Sequence, residues 1–503
     1  MSTPSPSRRA ARRTDLPKKG VAAASGRKKP PVAKASHDVE PPAALIAFMI
    51  RGWEKPPRGG PEPIEHAAEL RARRRALSRR FPGEVLVIPT GHEKVRANDT
   101  HHRFRAGTDF FYLTGNHEPD CVLVLEPTKT GHRDVLYVEP NPGKSDKTFF
   151  TDRVKGELWV GPRLGVPESK RRFGVHEARS LRALADDLAK HRRFRLLRGL
   201  SDALDGRRTA GQRPEDKALA EHLSEARLEK SPSEIVELRE AIASTRRGFD
   251  DVIRSMKTAK SEREIEGVFN LRARVEGNDV GYGTIAAAGH HACTLHWTRN
   301  DGRIKKGDLL LLDAGVEGRG LYTADVTRTL PISGKFSKAQ REVYELVLEA
   351  QLAAMAEIRP GQDFLAPHRA AMRVLAKGLE RLGVLEDAED ALAEEKQLYK
   401  RYTLHNVSHM LGLDVHDCAR ARQETYKYGK LTAGMVLTNE PGLYFQTDDL
   451  TVPERLRGIG VRIEDDVLVT PDGHDVLSAD IPKAAREVEA WISDVWRARS
   501  TGA

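Results

Sequence analysis

From about Glu65 the chain settles into regular alternation of apolar and polar positions. "HAAELRARRRALSRRF" has the spacing of a basic amphipathic helix. "EVLVIP", "DFFYLTG" and "CVLVLEP" are short apolar runs of strand length and composition. Strand-like and helical stretches alternate in this way to about Lys230, which predicts a first α/β domain. Then comes "KSPSEIVELREAIASTRRGFDDVI". Here Ser231 is placed to cap a helix, Pro232 to occupy its first position and Glu234 to complete a capping box. Ile235, Leu238, Ile242, Phe249 and Val252 recur on one face of that helix. The same beginning returns 106 residues later in "FSKAQREVYELVLEAQLAAMAEIRPG", with Ser337 and Gln340 as the cap pair. Val343, Val347, Ala350, Ala354 and Ile358 form its stripe, and Pro360 and Gly361 stop it. Strand-like segments follow each long helix, so the second domain reads as two related halves. The expected layout is a tail over residues 1–60, an α/β domain over 61–228 and a mixed α+β domain over 229–490.

Charge changes the picture only at one end. Residues 1–40 hold ten Lys/Arg against Asp15, Asp38 and Glu40, a net +7 of the chain's +10. That segment is rich in Ser, Pro and Ala and has no apolar period with which to offset its chain entropy, so it reads as a disordered basic tail. A solvated extension is the plain interpretation; an arm touching nucleic acid or an acidic partner is the alternative. "AALIAFMI", Ala43 to Ile50, is far too short to span a bilayer, which leaves a cytoplasmic protein as the expectation. An Arg/Ser-rich, acid-poor start is also compatible with an organelle transit peptide. Cys121, Cys293 and Cys418 are widely separated, which suggests neither a disulfide framework nor a zinc knuckle.

Chemistry concentrates in the second domain. "GDLLLLDAGVEGRGLYTADVTRTLPISG" is an apolar run ending in Asp313, and its next strand opens with Asp325. Gly315, Gly318 and Gly320 between them read as a hairpin loop that could set the two carboxylates side by side. An uncompensated buried pair would cost several kcal/mol, and a cation would remove that cost; two solvated strand-edge aspartates are the structural alternative. Glu440 ends the run "GMVLT" and Glu464 ends "IGVRI". "LHNVSHMLGLDVHD" adds His405, His409 and His416 among apolar residues, where satisfied core histidines and metal or substrate groups are both open. Four carboxylates and an imidazole form an oxygen-rich donor set of the kind that suits Mn²⁺, Mg²⁺ or Fe²⁺. Bridging carboxylates could hold two ions about 3.5 Å apart.

The ordered motifs "LHWTRN", "DAG", "TADVTRT", "HNVSHMLGLDVHD", "TNEPGLY" and "GVRIEDD" resemble the Xaa-Pro aminopeptidases (aminopeptidase P) of the pita-bread metallopeptidases. "RAGTDFFYLTGNHEPDCVLVL" and "GELWVGPRLG" extend the resemblance into the first domain, so that it runs from about Glu65 to Leu477. It implies a pita-bread fold for the second domain and two divalent ions, Mn²⁺ above others. Their ligands would be Asp313, Asp325, His409, Glu440 and Glu464, with Asp325 and Glu464 bridging. It further implies Glu440 as acid/base, His405, His416 and His296 around the substrate, and Tyr444 and Arg462 beside them. Trp159 would reach a neighbouring subunit's site in a homodimer or homotetramer. The implied reaction releases the residue that precedes a proline. A prolidase restricted to dipeptides is the nearest alternative, and a ligand-free pita-bread binding module a more distant one. Asn406 stands where the family pattern has Gly, Asn439 where Val is usual, and the Asp313–Asp325 connection is one residue longer than in many relatives.

Overall fold

The computed structural model describes residues 40–54, 60–206 and 213–498. The chain divides into two compact units, Met1–Pro56 with Pro142–Pro162, and Pro57–Asn141 with Arg163–Ala503. In the smaller unit a helix occupies Ala43–Met49, so the disorder expected of the tail to residue 60 is corrected for this stretch. The physical reason is its apolar run and the anchoring of Trp53, whose ring meets Phe149 edge-on with centroids 5.5 Å apart. Residues 1–39 of the expected tail lie outside the described residues.

The larger unit begins with helix α1 (Ala67–Arg80) packed on a five-stranded sheet. Its strands are β1 (Leu86–Pro89), β2 (Val122–Thr128), β3 (Gly131–Val138), β4 (Glu177–Ser180) and β5 (Arg195–Leu196). They lie in the order β4-β3-β2-β1-β5, parallel at the two outer pairings and antiparallel within. "DFFYLTG" corrects the strand expectation: Thr108–Thr114 is helix α2. Gly115, at φ 64°, stops that helix in the left-handed conformation, and burial of Phe110, Tyr112 and Leu113 against the sheet outweighs their β preference.

The rest of the unit is built twice on one plan. In the first half, α3 (Pro232–Met256) and α4 (Glu262–Glu276) pack together. They are followed by β6 (Asp279–Val280), β7 (Ile285–Ala288), β8 (Leu309–Ala314), β9 (Val316–Glu317) and β10 (Val326–Pro331). In the second half, α5 (Lys338–Met355) and α6 (Ala366–Arg381) pair likewise. They precede β11 (Val436–Asn439), β12 (Gly442–Tyr444), β13 (Gly460–Arg462), β14 (Asp465–Thr470) and β15 (Gly473–Val476). Both long helices open with a formed capping box, Ser231 with Glu234 and Ser337 with Gln340. Their apolar faces, Phe249 and Val252 on α3 and Val343, Val347 and Ala350 on α5, meet in one core with Leu310, Leu312 and Val461.

Sheet register decides what faces the centre. β8 lies between β10 and β7, all antiparallel, with Asp313 opposite Thr327. The connection between β8 and β10 is more than a loop: Val316–Glu317 leaves the hairpin to pair with Asp279–Val280. Its arms come so close at Gly315 that a Cβ there would sit 1.7 Å from the Ala324 carbonyl oxygen. In the second half β11 pairs with β14 and β12 with β13, in one continuous register that breaks between Asn439 and Gly442 on one arm and between Arg462 and Asp465 on the other. Pro441, which has no N–H to give to a ladder, lies in that break. Among the described residues no helix is long and apolar enough to cross a membrane.

Candidate metal centre and active site

Strand alternation places opposed residues, and residues two apart, on one face of a sheet. Asp313, Asp325 and Thr327 therefore share a face of the β8–β10 hairpin. Glu440 and Glu464 occupy the break between the two ladders of the second half. Freed from the ladder, the Glu464 N–H donates to the Thr327 carbonyl at 3.1 Å and the Glu440 N–H to the Val407 carbonyl at 2.8 Å. These two bonds tie the acidic positions to the first half and to the histidine-bearing segment. That segment runs beside β11, with the Thr438 N–H donating to the His409 carbonyl at 3.0 Å and the His409 N–H to Thr438 Oγ1 at 3.1 Å.

The result is a cavity of about 550 Å³ lined by Asp313, Asp325, His409, Glu440 and Glu464, with His296, His405, His416 and Arg462 around them. Ligand atoms of Asp325, His409 and Glu464 all lie within 4.8 Å of one another. His409 Nε2 is 3.2 Å from Asp325 Oδ2 and 3.4 Å from Glu440 Oε1. His409 Nδ1 lies 3.2 Å from the Met410 carbonyl, to which it donates, so that Nε2 is the ring nitrogen turned toward the carboxylates. The Tyr282 hydroxyl is 2.6 Å from Asp313 Oδ1 and 2.5 Å from Asp325 Oδ1. A phenol has one proton, so it can satisfy only one of those two oxygens.

Electrostatics point the same way. Burial, reinforced by neighbouring carboxylates, raises Asp313, pushes Glu440 up to about 8 and raises Glu464 well above the usual range. Burial alone would lower His409, but Asp325 and Glu440 carry it up to about 9. Such crowding is costly unless positive charge enters, and four carboxylates with one imidazole nitrogen form the donor set that hard divalent cations take. The residues therefore fit a divalent metal site.

Around it runs a second set of contacts. Arg462 is buried; its Nη2 donates to Asp313 Oδ2 at 2.5 Å, its Nη1 to the Tyr444 hydroxyl at 2.9 Å and its Nε to Thr327 Oγ1 at 3.1 Å. Thr327 in turn donates to Glu464 Oε2 at 2.6 Å. His405 Nε2 lies 2.8 Å from the Tyr444 hydroxyl, and burial together with Arg462 lowers this imidazole to about 3, so it is neutral. His416 meets His409 edge-on at 4.4 Å between centroids and is lowered by burial and by His409. His296 is exposed toward the cavity, and its imidazole makes no hydrogen bond among the described residues. Trp159 belongs to the smaller unit, half exposed, its indole N–H donating to the Phe150 carbonyl at 2.8 Å.

Several contributors give no signal in the sequence. Tyr282 sits in the bend between β6 and β7, and Thr327 in β10, both in ordinary local sequence. Asp466 accepts the Asp325 N–H at 3.1 Å. Asp417, next to His416, pairs with Arg227 at 3.0 Å, and Arg227 also grips Asp109 of α2. A larger cavity of about 960 Å³ lies between α1 and α3, but its best-buried carboxylates are already held, Glu69 and Glu234 by Arg73 and Ser231, and Glu276 by Arg247.

Residues 236–471 match metallopeptidase family M24, and residues 70–195 match the aminopeptidase P N-terminal domain. The chain is 52% identical over 453 residues to Xaa-Pro aminopeptidase 1 of Streptomyces coelicolor, covering 89% of this chain and 92% of that one. The chain belongs to the Xaa-Pro aminopeptidases, pita-bread metallopeptidases of family M24. It is 35% identical to the Escherichia coli Xaa-Pro aminopeptidase, over 84% of this chain and 97% of that one. Among solved structures, the low-pH form of E. coli aminopeptidase P superposes with a TM-score of 0.77 at 32% identity, covering 86% of this chain and all of that one. Membership makes the protein a hydrolase that uses divalent metal, on an α/β architecture of two domains.

Proposed function

We propose that the protein releases the N-terminal residue from peptides whose second residue is proline, and that Asp313, Asp325, His409, Glu440 and Glu464 would hold the two Mn²⁺ ions the reaction uses. The observation that carries this is that those five side chains, from the β8–β10 hairpin, the ladder break and the histidine-bearing segment, line one cavity together with three further histidines. Divalent ions there supply Lewis acidity, lowering the pKa of water and polarising a carbonyl. Glu440, at the cavity wall, takes a proton from the attacking water and returns it to the departing proline nitrogen. His416 and His296 face the cavity without being tied into the carboxylate network and meet the scissile carbonyl. Arg462 and Tyr444 hold Asp313 and His405 in place.

Solved E. coli relatives carry the inhibitor Pro-Leu or a product, which supports a proline-shaped pocket in this chain as well. Trp159 lies among exposed Val154, Leu158 and Val160, an apolar patch suited to a second subunit in a homodimer or homotetramer. The domain limits we assign are 61–228 and 229–490, and the location cytoplasmic.

The test is peptide length. The metal-loaded enzyme is expected to cleave Arg-Pro-Pro at least as fast as the dipeptide Arg-Pro, and to leave Arg-Ala-Pro intact, because alanine lacks the ring. Cleavage of dipeptides alone would make it a prolidase.

A further inference from the structure

The segment between β7 and β8 carries His296 into the cavity, yet among the described residues its imidazole makes no hydrogen bond that would hold it in place; only its carbonyl is engaged, accepting the Thr298 N–H at 3.0 Å. Its orientation is inherited from the loop. Asn300 and Gln446 also tie that loop down, at Thr284, Ala286 and Cys293, but four of its bonds converge on one carboxylate, Glu262, the first residue of α4 and fully buried. Glu262 Oε1 accepts the Ala288 N–H at 2.7 Å, where β7 ends, and lies 2.8 Å from His291 Nδ1. Glu262 Oε2 accepts the Trp297 indole N–H at 2.9 Å and the Gly302 N–H at 2.6 Å. The start, middle and end of the loop thus converge on two oxygens, and Trp297 is the immediate neighbour of His296. The His291 ring stacks on Trp297 with centroids 3.9 Å apart. At Gly302 a Cβ would lie 2.6 Å from the His291 ring and 2.7 Å from Glu262 Oε2, so the assembly has no slack on that side.

A buried carboxylate is costly to keep, and four donors from one loop are what make it tolerable. Simple loop closure needs no charge; a charge-assisted hub at every turn of the loop fixes position as well as path. We propose that Glu262 is a positioning residue of the peptidase, acting through the loop to hold His296 at the angle at which it meets the substrate. This rests on the reading of His296 as a substrate-facing group. Glu262 touches neither the metal ligands nor the cavity, so its contribution passes through the loop alone.

A double-mutant cycle on the Mn²⁺-loaded enzyme with Arg-Pro-Pro tests it. Glu262→Gln keeps the size of the side chain but replaces one acceptor oxygen by a donor. It is expected to lower kcat about tenfold with KM within twofold and metal content unchanged. In a His296→Ala background the same change is expected to cost less than twofold. A full tenfold loss in both backgrounds would overturn the proposal, because Glu262 would then act elsewhere or through the fold as a whole. Wild-type turnover by His296→Ala alone would overturn the reading of His296 instead, and the positioning role with it. Should Glu262→Gln fail to fold, Trp297→Phe removes one donor while keeping the stack on His291. It is expected to cost about threefold in the wild type and nothing beside His296→Ala; an equal cost in both would count against the proposal.

Discussion

Arg462→Lys offers the sharpest test of how the chain holds its candidate metal ligands. The guanidinium makes three bonds in three directions, to Asp313 Oδ2, the Tyr444 hydroxyl and Thr327 Oγ1. An ammonium on a shorter stem keeps the charge but donates from one point, and we expect it to keep only the Asp313 contact. Two buried bonds are then lost, at about 1.5 kcal/mol each, or about 3 kcal/mol in all. At about 1.4 kcal/mol per factor of ten, that is roughly a hundredfold in kcat/KM if the whole loss falls on the active geometry. Tyr444 loses its orientation and with it the partner of His405, while Glu464 loses the restraint relayed through Thr327. The assay is steady-state hydrolysis of Arg-Pro-Pro at 25 °C, alongside metal content after dialysis and a thermal melt. Expected are a kcat/KM lowered about a hundredfold and a metal affinity lowered between about ten- and a hundredfold, the usual cost of disturbing a ligand's supporting contacts. Wild-type kinetics and metal affinity in a folded Arg462→Lys protein would refute the reasoning, since they would mean that the three-way fork is incidental.

Asp325→Ala, which removes the carboxylate closest to His409, is expected to abolish hydrolysis and lower metal content, checked by elemental analysis of the dialysed protein. His416→Ala should lower turnover about a hundredfold or more with metal content unchanged; loss of metal in this variant would exchange the roles of His409 and His416. Burial, with Lys400 and Arg369, pushes His368 down to about 4, and its Nδ1 is buried without a partner. The unfolded chain binds a proton there below about 6.5 and the folded chain only near 4. The stabilisation it provides is therefore full above about pH 6.5 and lost as pH falls to about 4, on the order of 2–3 kcal/mol. Denaturant unfolding of wild type and His368→Leu across that window should show the variant losing less stability than the wild type by this amount.

The candidate ligand positions stand out in the sequence because they contradict their surroundings. An aspartate or glutamate closing a run such as "LLLL" or "GVRI" opposes what local burial favours, and that conflict marks it. The helix starts were equally plain, since capping chemistry is local. "DFFYLTG" was not: its four consecutive aromatic and apolar residues fit a buried strand or a buried helix, and the choice was made by the sheet beneath them. Tyr282, Thr327, Asp466 and Glu262 escaped for another reason. Each is an unremarkable residue type whose role comes from a partner distant in sequence, and register or loop closure, which local pattern does not encode, brings the two together.

The two halves of the repeat each supply an incomplete donor set, Asp313 and Asp325 from one, and His409, Glu440 and Glu464 from the other. Neither half alone offers a site, so none exists in the folding chain until the hairpin of the first half has met the ladder break of the second. On the proposed ligand assignment, a metal would bind only the assembled native state and would stabilise it by mass action. Metal supply would then set how well each molecule resists unfolding and proteolysis as well as how fast it works.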